Sequence, residues 1–211
     1  METVQRQGVK ENPPVIRDLT RNGRRARVEL IRYKGVLAVK KTFHRGCQRF
    51  LERELFVMKE LRKKCPSGIP ELLDWGENYF ISRYYEDELR FEPGACRLLP
   101  LHIVREAMNL LQFFYEQGYS LVDFHPGNIL YNRAEGMKFI DFEHLYRYRE
   151  KPPKLQYCYD LWGILLDFDG DIPAGYEFGI TNYKQKWKAY TGMGLRTLLF
   201  APVWCQRLVR F

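Results

Sequence analysis

The sequence predicts an α+β fold of two unequal lobes that share a cleft. Three observations carry that expectation: a first third patterned as antiparallel strands around one helix, a strongly amphipathic helix in the middle, and a mostly helical remainder. The 211 residues suffice for one well-packed domain or for two small lobes.

In chain order, residues 1–14 end in Asn12-Pro13-Pro14 and are expected to form a loose arm. Residues 15–82 make the first lobe. There "RARVELIRY" and "GVLAVKKTF" alternate as strands about a turn at Lys34-Gly35. A helix is expected from Gln48 to Lys64, stopped by Cys65-Pro66-Ser67-Gly68. Two further strands lie around Gly76-Glu77-Asn78. Residues 83–92 are the connector, and residues 93–211 form the second lobe. Its clearest element is the helix of "LPLHIVREAMNLLQFFYEQGY", where Ile103, Ala107, Leu110, Leu111 and Phe114 fall at helical spacing and Gly118 ends the run. "YCYDLWGILLDF" reads as a buried helix, and the tail from Gly179 as loosely helical.

Composition excludes several classes. A hydrophobic fraction of 45% and an aromatic fraction of 15% mark a packed chain rather than a disordered one. No apolar run approaches the length of a membrane span, and METVQRQGVKEN has no signal-peptide core, so a cytoplasmic location is expected. The five cysteines are scattered without metal-binding spacing, which argues for reduced thiols and against zinc. A net charge of +8 favours an anionic partner.

The chemistry is suggested by charged residues where apolar ones belong. Glu54 falls within the face made by Phe50, Val57, Met58 and Leu61, and a carboxylate aimed at a core needs a cation. Strand alternation puts Val36, Ala38 and Lys40 on one face and Leu37, Val39 and Lys41 on the other. Lys40 is the expected cation, with small Ala38 leaving room for a flat ligand beside it. In "YSLVDFHPGNILYN", Asp123 and Asn128 stand five residues apart, and Asp141 follows in the strand "KFIDF". That hairpin brings Asn128 and Asp141 to one edge as oxygen ligands suited to Mg²⁺, and leaves Asp123 nearby to accept a proton.

"LAVK", the helix residue Glu54, "VDFHPGNIL" and "IDF" together resemble the protein-kinase-like superfamily, over roughly Val28 to Asp167. The "HPGN" resembles its small-molecule and atypical members: aminoglycoside and choline phosphotransferases, lipopolysaccharide core sugar kinases and RIO-type kinases. The resemblance implies a bilobal kinase fold using ATP and Mg²⁺. Lys40 would hold the phosphates and pair with Glu54, Asp123 would accept the hydroxyl proton, and Asn128 and Asp141 would bind the metal. The connector Ser82, Arg83, Tyr84, Tyr85 and Glu86 would hold adenine through its backbone. His125 would stand near the transferred phosphate or simply pack. Asp160 would bond the catalytic-loop backbone, or else be a cap or a solvated helix residue.

The pattern departs from the family in three places. No G-x-G-x-x-G occurs, so cover of the phosphates would fall to side chains such as Arg24 or Arg25. Leu121 replaces the usual His, and Glu143 the Gly of DFG. Asp160 follows only nineteen positions after Asp141, with no APE, which argues against a peptide shelf. The expected activity is therefore phosphoryl transfer to a sugar or lipid-linked sugar such as a lipopolysaccharide core. The basic-aromatic tail (Lys184, Lys186, Trp187, Lys188, Phe200, Trp204, Arg207, Arg210) suggests a glycolipid or peripheral contact with an anionic inner-membrane surface, or an ordinary packed helix with a basic face. The alternatives are a RIO-like Ser/Thr kinase and a nucleotide-binding pseudokinase scaffold. A nucleic-acid partner is not expected.

Overall fold

A computed structural model describes residues 13–21, 23–94, 99–151 and 187–193. They form a mixed α+β structure with an antiparallel sheet of five strands and few helices. The strands are β1 (Val15–Asp18), β2 (Ala26–Tyr33), β3 (Val36–Phe43), β4 (Leu72–Trp75) and β5 (Tyr79–Arg83), in the order β1-β2-β3-β5-β4. β2 and β3 pair without slip from Ala26↔Phe43 to Tyr33↔Val36. Their two-residue turn needs left-handed backbone, and it has φ of 48° at Lys34 and 85° at Gly35.

The sheet buries residues on both faces, but unequally. Ala26, Phe43 and Phe80 enter the main core, whereas Ile31, Tyr33, Ala38 and Ile81 make a small cluster of their own. Helix α1 (Gln48–Phe56) runs on into a π-helical turn over Val57–Leu61, and its inward face is Phe50, Leu51, Glu54, Val57, Met58 and Leu61. The expected helix to Lys64 is thus real as far as Leu61, with its last stretch wound more widely.

Helix α2 (Leu101–Glu116) buries Ile103, Ala107, Leu110, Leu111 and Phe114, as the spacing predicts, and Val104 and Tyr115 besides. The chain leaves it through Gly118 at φ 85°. Four short strands follow: β6 (Tyr119–Leu121), β7 (Ile129–Asn132), β8 (Gly136–Phe139) and β9 (Leu145–Arg147). β7 pairs with β8 and β6 with β9, both antiparallel. Leu121, opposite Leu145, is fully buried, which explains why an apolar residue suits that position. The strand expected through Asp141 ends at Phe139; Asp141 lies just beyond it.

One apolar core runs from Phe43 and Phe80 through α1 and α2 to Phe124, Phe139, Phe142 and Trp187. Each such aromatic contributes roughly 1.5–3 kcal/mol on burial. Phe124 stacks on Phe139 at 5.6 Å, with Trp187 5.4 Å away. Trp187 is fully buried, so the tail's first tryptophan serves the core and is not available to a membrane surface. Residues 1–12, Asp160 with its expected helix, Lys184, Lys186, and Phe200 onward in the tail lie outside the described residues. Among the described residues no helix is long and apolar enough to cross a membrane.

Candidate functional site

The site forms where β3, α1 and the end of the β7–β8 hairpin meet. Lys41 on β3 points to the face that carries Phe43 and Phe80, toward α1. Its Nζ donates to Glu54 Oε1 at 2.7 Å and to Asp141 Oδ1 at 3.1 Å, and lies 2.7 Å from Glu143 Oε1. Ligand oxygens of the three carboxylates fall within 4.8 Å of one another. Glu54 and Glu143 are 2% and 4% exposed, so neither relies on water.

This crowding sets the protonation behaviour. Burial disfavours the Lys41 ammonium, but the combined fields of Asp141, Glu54 and Glu143 overcome it and hold the group above its usual range. Burial pushes the Glu54 carboxyl up to about 7; Lys41 opposes that shift, and the Asp141 and Glu143 charges add to it.

The structure corrects the expectation for Lys40 and Ala38. Lys40 lies opposite Glu29 and Ile81 on the other face of the sheet, with its ammonium 5.0 Å from the Tyr79 ring centroid. Ala38 shares that face and is fully buried against Ile31, Tyr33 and Ile81, with no room for a ligand. Alternation holds along β3, but the inward face is marked by the large aromatic Phe43 and not by small Ala38. Counting back two from that core aromatic reaches Lys41. Val39, not Ala38, then stands beside Lys41 on that face.

The 123–128 loop is closed by its own side chains. Asp123, His125 and Asn128 are all buried. Asn128 Nδ2 donates to Asp123 O at 3.1 Å, and Ile140 N donates to Asn128 O at 2.8 Å. The hairpin therefore fixes Asn128 beside the backbone that leads into Asp141. Asp141 has φ 68°, a conformation uncommon outside Gly, Asn and Asp, and strain of this kind gathers at functional sites. His125 Nδ1 accepts from Gly127 N at 3.1 Å, which puts the neutral ring's proton on Nε2, 3.4 Å from Asp123 Oδ1. The ring stacks on Tyr190 at 5.3 Å. His125 thus packs and also faces the carboxylate.

The chain after β5 is anchored at several points. Tyr84 N donates to Leu37 O at 3.2 Å, and Asn132 Nδ2 to Glu86 O at 3.1 Å. Ser82 is buried opposite Val39, on the Lys41 face. Two connector side chains turn elsewhere: Arg83 pairs with Glu135 at 2.7 Å, and Tyr85 Oη accepts from Glu71 N at 3.3 Å. The Asp87 carboxylate, which the sequence does not single out, accepts from Leu89 N, Arg90 N and Tyr131 N and ties the connector to β7.

Two further residues reach the site from the β1–β2 turn. Arg25 Nε lies 2.6 Å from Glu143 Oε2, and Arg21 Nη1 donates to Gly127 O at 3.1 Å. Of the two arginines expected to cover the site, Arg25 reaches it and Arg24 is exposed. Glu143, a departure from the family motif, is a member of the cluster; its closeness to Asp141 in sequence is the available signal. No protein-family model matches the chain, and none of the curated proteins compared with it matches.

Proposed function

We propose that the chain is a kinase of the protein-kinase-like, bilobal type, transferring the γ-phosphoryl group of ATP to a hydroxyl of a non-peptide acceptor. The observation that carries this reading is Lys41, bonded at once to Glu54 of α1 and to Asp141, which lies 100 positions later in the chain. A strand lysine, a helix carboxylate and a post-hairpin aspartate converging in this order are what phosphate positioning requires.

Lys41 would contact the phosphates, with Glu54 setting its direction. Asn128 and Asp141 offer an amide and a carboxylate, an oxygen donor set that suits Mg²⁺, and these two residues would hold it. The ion would neutralise phosphate charge. Asp123 would orient the acceptor hydroxyl and take its proton, with the His125 Nε2–H facing the carboxylate. The acceptor class rests on the sequence: the short Asp141-to-Asp160 interval and the net charge of +8 favour a sugar or lipid-linked sugar carrying negative charge.

One observation favours the scaffold reading instead. Glu143 occupies both Lys41 and Arg25, cations a nucleotide would need. Measurement of ATP binding and turnover with Mg²⁺ separates the readings, using wild type beside Asp123→Asn and Asp141→Asn and a panel of sugar, glycolipid and protein acceptors. Turnover that both variants lose supports the kinase. Binding without turnover on any acceptor favours the scaffold. Label appearing on the protein itself favours a RIO-like kinase, and failure to bind nucleotide ends the assignment.

A further inference from the structure

The β1–β2 turn sits over the site on two guanidinium groups. Arg21 reaches Gly127 O, and Arg25 reaches Glu143. Arg25 and Gly23 are tied to the end of β3: His44 N donates to Arg25 O at 2.8 Å, and His44 Nε2 lies 2.8 Å from Gly23 O. Arg25 is held further by the face of Phe50, 4.9 Å from its guanidinium carbon. Its position is therefore built, and is not that of a wandering surface side chain.

Between Arg25 and Lys41 lies the Glu143 carboxylate, with one oxygen 2.6 Å from the arginine and the other 2.7 Å from the lysine. The two cations this buried oxyanion bridges are the partners a phosphate oxyanion would need. Three carboxylates, Glu54, Asp141 and Glu143, crowd Lys41, and Glu143 is the one shared with Arg25. We infer that Lys41 and Arg25 form a paired cation site for a polyphosphate, and that Glu143 is a built-in stand-in which the ligand must displace.

Arg25 then does with a side chain what a glycine-rich turn does with backbone N–H groups, and Glu143 raises the threshold for any anion too weak to compete. The ligand being ATP rests on the kinase reading; the cation pair and its plug do not.

The test is calorimetric binding of inorganic tripolyphosphate and of ATP, each with Mg²⁺, to wild type, Glu143→Gln, Arg25→Gln and the double variant. Glu143→Gln removes one of the three carboxylates that crowd Lys41 and keeps the side chain's size and an acceptor oxygen, so the fold is expected to hold. Tripolyphosphate should bind Glu143→Gln about tenfold more tightly than wild type or better, the effect of removing a close competing charge. Arg25→Gln should weaken binding and cancel the gain in the double variant, and it keeps the idea testable should Glu143→Gln misfold. Unchanged or weaker binding by Glu143→Gln overturns the inference, as does absence of tripolyphosphate binding by every variant. If Glu143→Gln gains on tripolyphosphate while ATP binds no better than tripolyphosphate and is never turned over, the inference stands and the kinase reading falls. If wild type turns over ATP and Glu143→Gln shows no gain, the inference falls and the kinase reading stands.

Discussion

Replacing Lys41 by Met, beside Lys40 by Met, tests the frame of the site directly. Lys41→Met keeps the chain's volume but leaves Glu54, Asp141 and Glu143 with oxygens inside a 4.8 Å cluster and their shared ammonium gone. Removing one member of a buried ionic group costs about 3–5 kcal/mol, because the partners stay buried and uncompensated. Lys40 instead lies half-buried on the outer face, over the Tyr79 ring and opposite Glu29, where water-screened charge contacts are worth about 0–1 kcal/mol each. In urea unfolding followed by far-ultraviolet circular dichroism, Lys41→Met should lower the midpoint by on the order of 2 M, and Lys40→Met by a few tenths. Acid should partly rescue Lys41→Met by protonating the abandoned carboxylates, and adding Glu54→Gln should recover part of the loss as a coupling term. Equal costs for the two lysines, or a Lys41→Met deficit that acid leaves unchanged, would show that the carboxylates do not depend on Lys41.

Burial raises the Glu54 pKa from 4.5 to about 7, so folding favours its neutral form; that contribution is complete below pH 4.5 and is lost as pH rises through 7. The stability of wild type relative to Glu54→Gln should therefore fall across this window in pH-dependent denaturation, and a rise would contradict the burial argument. A Cβ at Gly127 would collide with the Tyr190 ring end, so Gly127→Ala should cost about 1–3 kcal/mol by displacing the ring from His125, and Tyr190→Ala should suppress the effect. Independence of the two substitutions would refute that contact. Trp187 Nε1 donates to Phe124 O at 2.9 Å, both buried, so Trp187→Phe should cost about 1–3 kcal/mol through the orphaned carbonyl. A thermal midpoint matching wild type would show that the Trp187 bond does not support the loop.

Most of the skeleton was legible in local pattern. Period-two alternation located β2 and β3, and Lys34-Gly35 announced their turn, because a two-residue hairpin leaves few residue choices. Helical spacing named five buried positions of α2, and Glu54 was readable as a misplaced charge. The spacing of Asp123, Asn128 and Asp141 was also legible, since a hairpin joins them through local backbone bonds.

Which face of β3 meets α1 was not a local matter. Alternation yields two equivalent faces, and packing of Phe43 and Phe80 against the rest of the core decides between them, so Lys41 rather than Lys40 turns inward. The contacts of Arg21, Arg25 and Glu143 likewise join segments about a hundred residues apart, so the sequence could offer Arg25 as a cover for the site but not the carboxylate it meets. The amino-acid order by itself determined β2 to β5, helices α1 and α2 and the hairpin that carries the loop, because those follow from neighbours in the chain. Only the tertiary structure decided which charges meet, because a buried carboxylate finds its cation in space, wherever the core places one.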